Sequence, residues 1–132
     1  MSDSRPGKLN PFVKPVDRLR IYSVIASCSS NGLAVKERLA ELLAVYQKRN
    51  TEAATTALIS AVVERLEAGD GIGKAILATL GEAAYPEETV LIAAVDAIGD
   101  PAKAARLFGD AIQFINLEQR IRASESAGRR AS

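Results

Sequence analysis

The side chains with the most chemical capacity in this chain are carboxylates. Glu87 and Glu88 are adjacent, Asp96 follows eight positions after Glu88, and Asp100 follows four after that. On a helix, neighbours diverge by about 100° while positions eight apart share a similar face. Glu88 and Asp96 therefore form the pair best placed to attract a hard cation such as calcium or magnesium. The competing reading is an ordinary acidic helix start, because Glu87 and Glu88 directly follow Pro86 and a first-turn carboxylate favours the helix dipole. The second reading is the simpler one, and it assigns no metal and no cofactor.

Other constellations are weaker. Gly69-Asp70-Gly71-Ile72-Gly73-Lys74 has the glycine density of a phosphate cradle. A Walker loop, however, follows a strand and places Ser or Thr after its lysine. Here the preceding segment has helical periodicity and Ala75 follows Lys74. A helix stop, a turn and a helix start account for the same residues. Cys28 is the single cysteine, and the chain has no histidine. A catalytic cysteine needs an activating base, so Cys28 reads as a small buried apolar residue. No nucleophile–base pair can be drawn, and the chain is expected to have no catalytic centre.

The elements around these residues are helical. Hydrophobic residues make up 48% of 132 residues and charged residues 25%, enough for one soluble domain with a core of Leu, Ile, Val and Ala. The expected order is a polar lead over 1–15, a helical domain over 16–123 and a polar tail over 124–132. Helix one spans about Val16 to Ser29, and helix two about Ala34 to Arg49. Helix three follows Asn50 or Thr51 as N-cap and ends near Ala68. A short fourth helix is capped by Asp70 and closed by Gly81. A fifth starts at Pro86 and ends at Gly99; its run Val90–Val95 marks it as the most buried. A sixth starts at Asp100-Pro101 and ends near Ala123. Six helices with short connections imply an all-α six-helix bundle.

Charge is nearly balanced, at a formal +1, but both ends are basic. Arg18 and Arg20 near the start, and Arg120 and Arg122 near the end, suit a neighbourhood of anionic headgroups. No run of about 18 apolar residues spans a membrane, and no apolar h-region marks a secretory signal. A helix-turn-helix can be fitted at the second and third helices or at the Gly69 turn. A reading helix should present a basic, base-contacting face, and helices three and four offer only Arg65 and Lys74. A small DNA-binding regulator or antitoxin is therefore the alternative reading.

The order of these features resembles the F domain of type II secretion and type IV pilus platform proteins, in its divergent bundle-forming-pilus branch. Asn31-Gly32-Leu33-Ala34-Val35 stands at the family's G-L/I-P-L step, with Ala34 for Pro. Arg65 to Ile76 follows the family's R-L-x-x-G-x-S-L-x-x-A-L pattern. Pro86 to Asp100 resembles its proline-initiated helix leading to G-E-x-S-G-x-L, with Val95 for Gly, Asp96 for Glu and Ile98 for Ser. The resemblance covers about residues 17–123. It implies a non-catalytic domain at the cytoplasmic face of a bacterial inner membrane. It also implies coupling of a cytoplasmic assembly ATPase to pilin or pseudopilin polymerisation. Partners would be that ATPase, other platform components and a second copy of the chain, as a dimer, with no nucleic acid and no small-molecule substrate. Family members continue from the last helix into a transmembrane helix after basic residues, where Arg120 and Arg122 stand; the missing span implies an excised domain or a soluble variant. On this reading Glu87, Glu88, Asp96 and Asp100 form an acidic interaction edge. Arg18, Arg20, Arg120 and Arg122 form a membrane-proximal one.

Overall fold

The computed structural model describes residues 14–31, 34–50 and 53–131. Among these it contains six α-helices, a single-turn 3-10 helix at Gly81–Ala83 and no strand. The polar lead before residue 14, the Gly32-Leu33 step and Thr51 lie outside the described residues. The helices are α1 (Pro15–Ser30), α2 (Val35–Arg49), α3 (Ala53–Glu67), α4 (Ile72–Leu80), α5 (Pro86–Val95) and α6 (Pro101–Ala131). Each packs on the next, α6 returns along α1, and the six form a closed ring of neighbours, with α1 also touching α3. Ile21, Tyr22 and Ile25 of α1 meet Leu58, Ile59 and Val62 of α3 and Phe108, Ala111 and Ile115 of α6 in one apolar core. Tyr22 and Phe108 pack ring to ring, 5.7 Å between centroids.

Local chemistry sets the boundaries. Asn50 adopts a left-handed conformation, φ 55°, and its amide closes on the Tyr46 carbonyl at 3.0 Å. It therefore ends α2 instead of opening α3, because Asn tolerates this conformation better than other residues with a side chain. Gly69, at φ 105°, ends α3 while the Asp70 amide reaches back to the Arg65 carbonyl at 3.1 Å. That six-to-one bond is a Schellman closure. Asp70 does not cap α4: Gly71 takes the N-cap position, and the Asp70 carboxylate lies between Arg65 and Lys74, at 3.5 and 3.7 Å. At α6 the Asp100 carboxylate accepts the Ala102 amide at 2.9 Å, with Pro101 at the first helical position, as expected.

Three expectations need correcting. The fifth helix ends at Val95, short of Gly99, with Asp96 at its C-cap. Its apolar run is not the most buried, since three of ten α5 residues are buried against five of nine in α4. The run Val90–Val95 covers both sides of a helix that has neighbours on one side, so Val90 is left 70% exposed. The last helix does not end near Ala123 but continues to Ala131.

Candidate functional site

The most concentrated chemistry lies inside the bundle, where α1 meets the start of α5. Arg18 and Glu88 are 70 residues apart in sequence and 1% and 0% exposed. The Arg18 guanidinium donates from Nε to Glu88 Oε2 at 2.8 Å and from Nη2 to Oε1 at 3.0 Å. A planar fork meeting a carboxylate in this way is the strongest common ion-pair geometry. The Tyr22 hydroxyl also donates to Glu88 Oε2. Burial raises the Tyr22 phenol well above its ordinary value, the Glu88 charge and hydrogen bond raise it further, and Arg18 opposes them. Tyr22 thus remains a neutral donor, and Glu88 remains its acceptor.

The start of α5 serves this cluster. Pro86 opens the helix, and Glu88, its third residue, folds back to accept the Tyr85 amide at 3.1 Å. One carboxylate therefore caps α5 and pairs with α1. Tyr85 forms the lid: its ring lies 5.1 Å from the Arg18 guanidinium carbon and equally 5.1 Å from that of Arg122 on α6. Phe114 meets the same ring edge-on at 6.0 Å, and Gln119 donates to its hydroxyl at 2.9 Å. Beside it, the Asp17 carboxylate accepts from the Thr55 hydroxyl and, at 3.4 Å, from the Lys14 amide, while Arg20 donates to Thr55 at 3.2 Å. Every buried side-chain nitrogen and oxygen among the described residues has a hydrogen-bond partner. A saturated cluster closed to solvent has no room for a substrate; its chemistry is to lock α1, α5 and α6 in one arrangement.

A second constellation joins two features that the sequence presents separately. The Asp96 carboxylate, at the end of α5, accepts the Gly73 amide at 2.9 Å and the Lys74 amide at 2.8 Å. These are first-turn amides of α4, the groups that an anion seeks at a helix start. The glycine cluster is an anion cradle whose anion is the chain's own Asp96. The glycines permit the approach. A Cβ on Gly73 would lie 2.5 Å from the Ile92 carbonyl oxygen, and one on Gly71 would lie 2.7 Å from the Asp96 carboxyl carbon.

The eight charged residues expected on two edges are thus distributed differently. Glu88 and Arg18 are not on a surface at all; each is buried because the other neutralises it. Asp96 is exposed but turned onto α4, and Asp100 is exposed and caps α6. Glu87 is exposed on the first turn of α5. Arg20, Arg120 and Arg122 are exposed; Arg20 leans on Thr55, and Arg122 pairs with Glu118 at 3.3 Å beside the Tyr85 ring. Glu88 and Asp96 do not converge on a cation, and among the described residues no three of His, Cys, Asp or Glu form a metal-binding group.

A groove of about 480 Å³ runs between α1 and α2 and is lined by Val24, Cys28, Leu42 and Val45, with Arg38 and Glu41 among its polar residues. Cys28 is a buried free thiol, as expected. Comparison with protein-family models, with curated proteins and with solved structures found no match to this chain. Among the described residues, no helix is long and apolar enough to cross a membrane.

Proposed function

We propose that this chain is a non-catalytic coupling domain of a bacterial inner-membrane platform for type IV pilus or type II secretion assembly. It acts at the cytoplasmic face, between the assembly ATPase and the pilin or pseudopilin that the platform polymerises. One observation carries the reading. The six consecutive residues Arg120 to Glu125 of α6 are all exposed and helical, with Arg122 still reaching back to the Tyr85 ring. A helix exposed around more than a full turn is not held by its own core. Arg120 and Arg122 lie on this outgoing segment, at the point where the F domains that the sequence resembles pass toward the membrane. Basic residues there suit anionic headgroups.

The internal clusters support the same role. Arg18–Glu88 and Asp96–α4 bind helices to one another, which suits a part that transmits displacement between partners. The remaining acidic edge for the ATPase consists of Glu87, with Asp100 exposed at the start of α6. Replacing Glu87 with Lys in the producing bacterium is expected to leave protein abundance near normal and to reduce pilin or pseudopilin polymer. Unaltered polymer in a strain lacking the gene altogether would overturn the proposed function.

A further inference from the structure

The helix α2 is held to the bundle differently from its neighbours. One of its fifteen residues, Leu39, is buried, against five of fifteen in α3 and five of nine in α4. Leu42, Leu43 and Tyr46 reach the core only in part, and Val45 is 43% exposed. The Arg38–Glu41 ion pair, at 3.1 Å, joins two exposed side chains of α2 itself and fastens it to no other helix. Elsewhere, buried Arg18–Glu88 ties α1 to α5, and Asp96 ties α5 to α4.

The space around α2 points the same way. Besides the groove of about 480 Å³ between α1 and α2, one of about 380 Å³ lies among α1, α2 and α3. Leu42 lines both, so it has open space on two sides. Another of about 380 Å³ lies between the end of α2 and the start of α3. Side chains beside such gaps forgo the dispersion contacts of a filled core. The left-handed Asn50 breaks the helical path, so α2 is not continuous with α3. The other five helices close without it, because α1 packs directly on α3 and on α6, while α3, α4, α5 and α6 pack in sequence. Few buried apolar contacts mark the part of a fold that opens first. We propose that α2 is a separately opening unit, which leaves α1 and α3 cooperatively while the other five helices stay folded. Opening uncovers Val24 and Cys28 of α1 and Ile59 of α3. The Cys28 thiol, buried in the groove wall with Leu42 and Val45 across from it, is therefore a built-in reporter. This inference rests on the packing of α2 and is independent of the platform reading.

The test is native-state hydrogen exchange on the full 132-residue chain, over urea concentrations well below the unfolding midpoint. Amides from Leu39 to Tyr46 should share one opening constant, roughly tenfold or more above that of α4, with a weaker urea dependence. Alkylation of Cys28 by iodoacetamide should follow the α2 constant, not the α4 one. Two variants separate local from global opening. Leu39→Ala should raise α2 exchange and Cys28 alkylation at least roughly tenfold by removing the buried anchor. Gly73→Ala, whose Cβ would meet the Ile92 carbonyl oxygen between α4 and α5, should speed exchange in α4 and leave α2 exchange and Cys28 alkylation unchanged. Acceleration of α2 and α4 by the same factor in Gly73→Ala would mean that α2 opens only with the whole domain, and overturns the proposal. So does equal protection of α2 and α4 in the parent, or a gradient of exchange inward from the ends of α2, which is fraying.

Discussion

Glu88 offers the sharpest perturbation, because one carboxylate serves three donors. Glu88→Ala removes the partner of a guanidinium that is 1% exposed, the acceptor of the Tyr22 hydroxyl and the cap on the Tyr85 amide. Leaving one member of a buried ion pair without its partner costs about 3–5 kcal/mol. The lost helix cap adds about 1 kcal/mol. Against a total stability of about 5–15 kcal/mol for a domain, this removes a large share. The loss comes from the abandoned Arg18 charge, not from any large net contribution of the pair. Arg18→Met, Tyr22→Phe and Glu88→Leu together remove the guanidinium, the phenol hydroxyl and the carboxylate, and leave the Tyr85 amide without its cap. Apolar replacement of a buried pair is often neutral, so the triple variant should recover most of the deficit and retain about the 1 kcal/mol of the cap. Urea unfolding followed by circular dichroism at 222 nm reads both. A Glu88→Ala loss below about 1 kcal/mol, or a triple variant as unstable as the single one, would refute the reasoning. Charge reversal at Glu88 is accordingly a folding lesion, and Glu87 is the residue of the two with which to probe binding.

Gly73→Ala should cost about 1–3 kcal/mol, since its Cβ would meet the Ile92 carbonyl oxygen. Gly109→Ala, with nothing within 4 Å, should instead stabilise α6 by about 0.5–1 kcal/mol; denaturant midpoints separate the two. Asp96→Ala releases the Gly73 and Lys74 amides and should cost about 1–2 kcal/mol, with faster hydrogen exchange at those two amides. Tyr22 has a folded-state value raised above the ordinary 10.0. The unfolded chain therefore loses this proton first as pH rises. The stability linked to Tyr22 is complete below pH 10.0 and declines above it toward the folded value. Tyr22→Phe should flatten that alkaline decline relative to the parent, as measured by unfolding at pH 8 to 11.

The helices were legible because the spacing of Leu, Ile and Val carries a period that needs no tertiary knowledge. Pro86, Asp100-Pro101, Gly69 and Gly81 act through their own backbone geometry, so they too could be read locally. Asn50 was ambiguous because the same residue type suits a helix start and a left-handed helix end; only the Tyr46 carbonyl decides between them. The Arg18–Glu88 pair could not be read at all. Its members are 70 residues apart, and an isolated Arg or Glu on a helix normally signals solvent. The glycine cluster and Asp96 were each conspicuous, but the reason for the glycines, close approach of a carboxylate and the Ile92 carbonyl, exists only once α4 and α5 are packed. The outward stripe at Leu117 and Ile121 continues the apolar pattern of α6. The structure leaves Leu117 49% exposed.

The proposed coupling role is tested most directly by equilibrium binding of the purified chain to an assembly ATPase of the same bacterium, beside a duplex DNA pool over a salt series. The account predicts saturable ATPase binding, weakened roughly fivefold by Glu87→Lys with the fold intact, and no duplex binding. Absence of ATPase binding together with duplex affinity that falls steeply with salt would contradict it and favour the DNA-binding regulator.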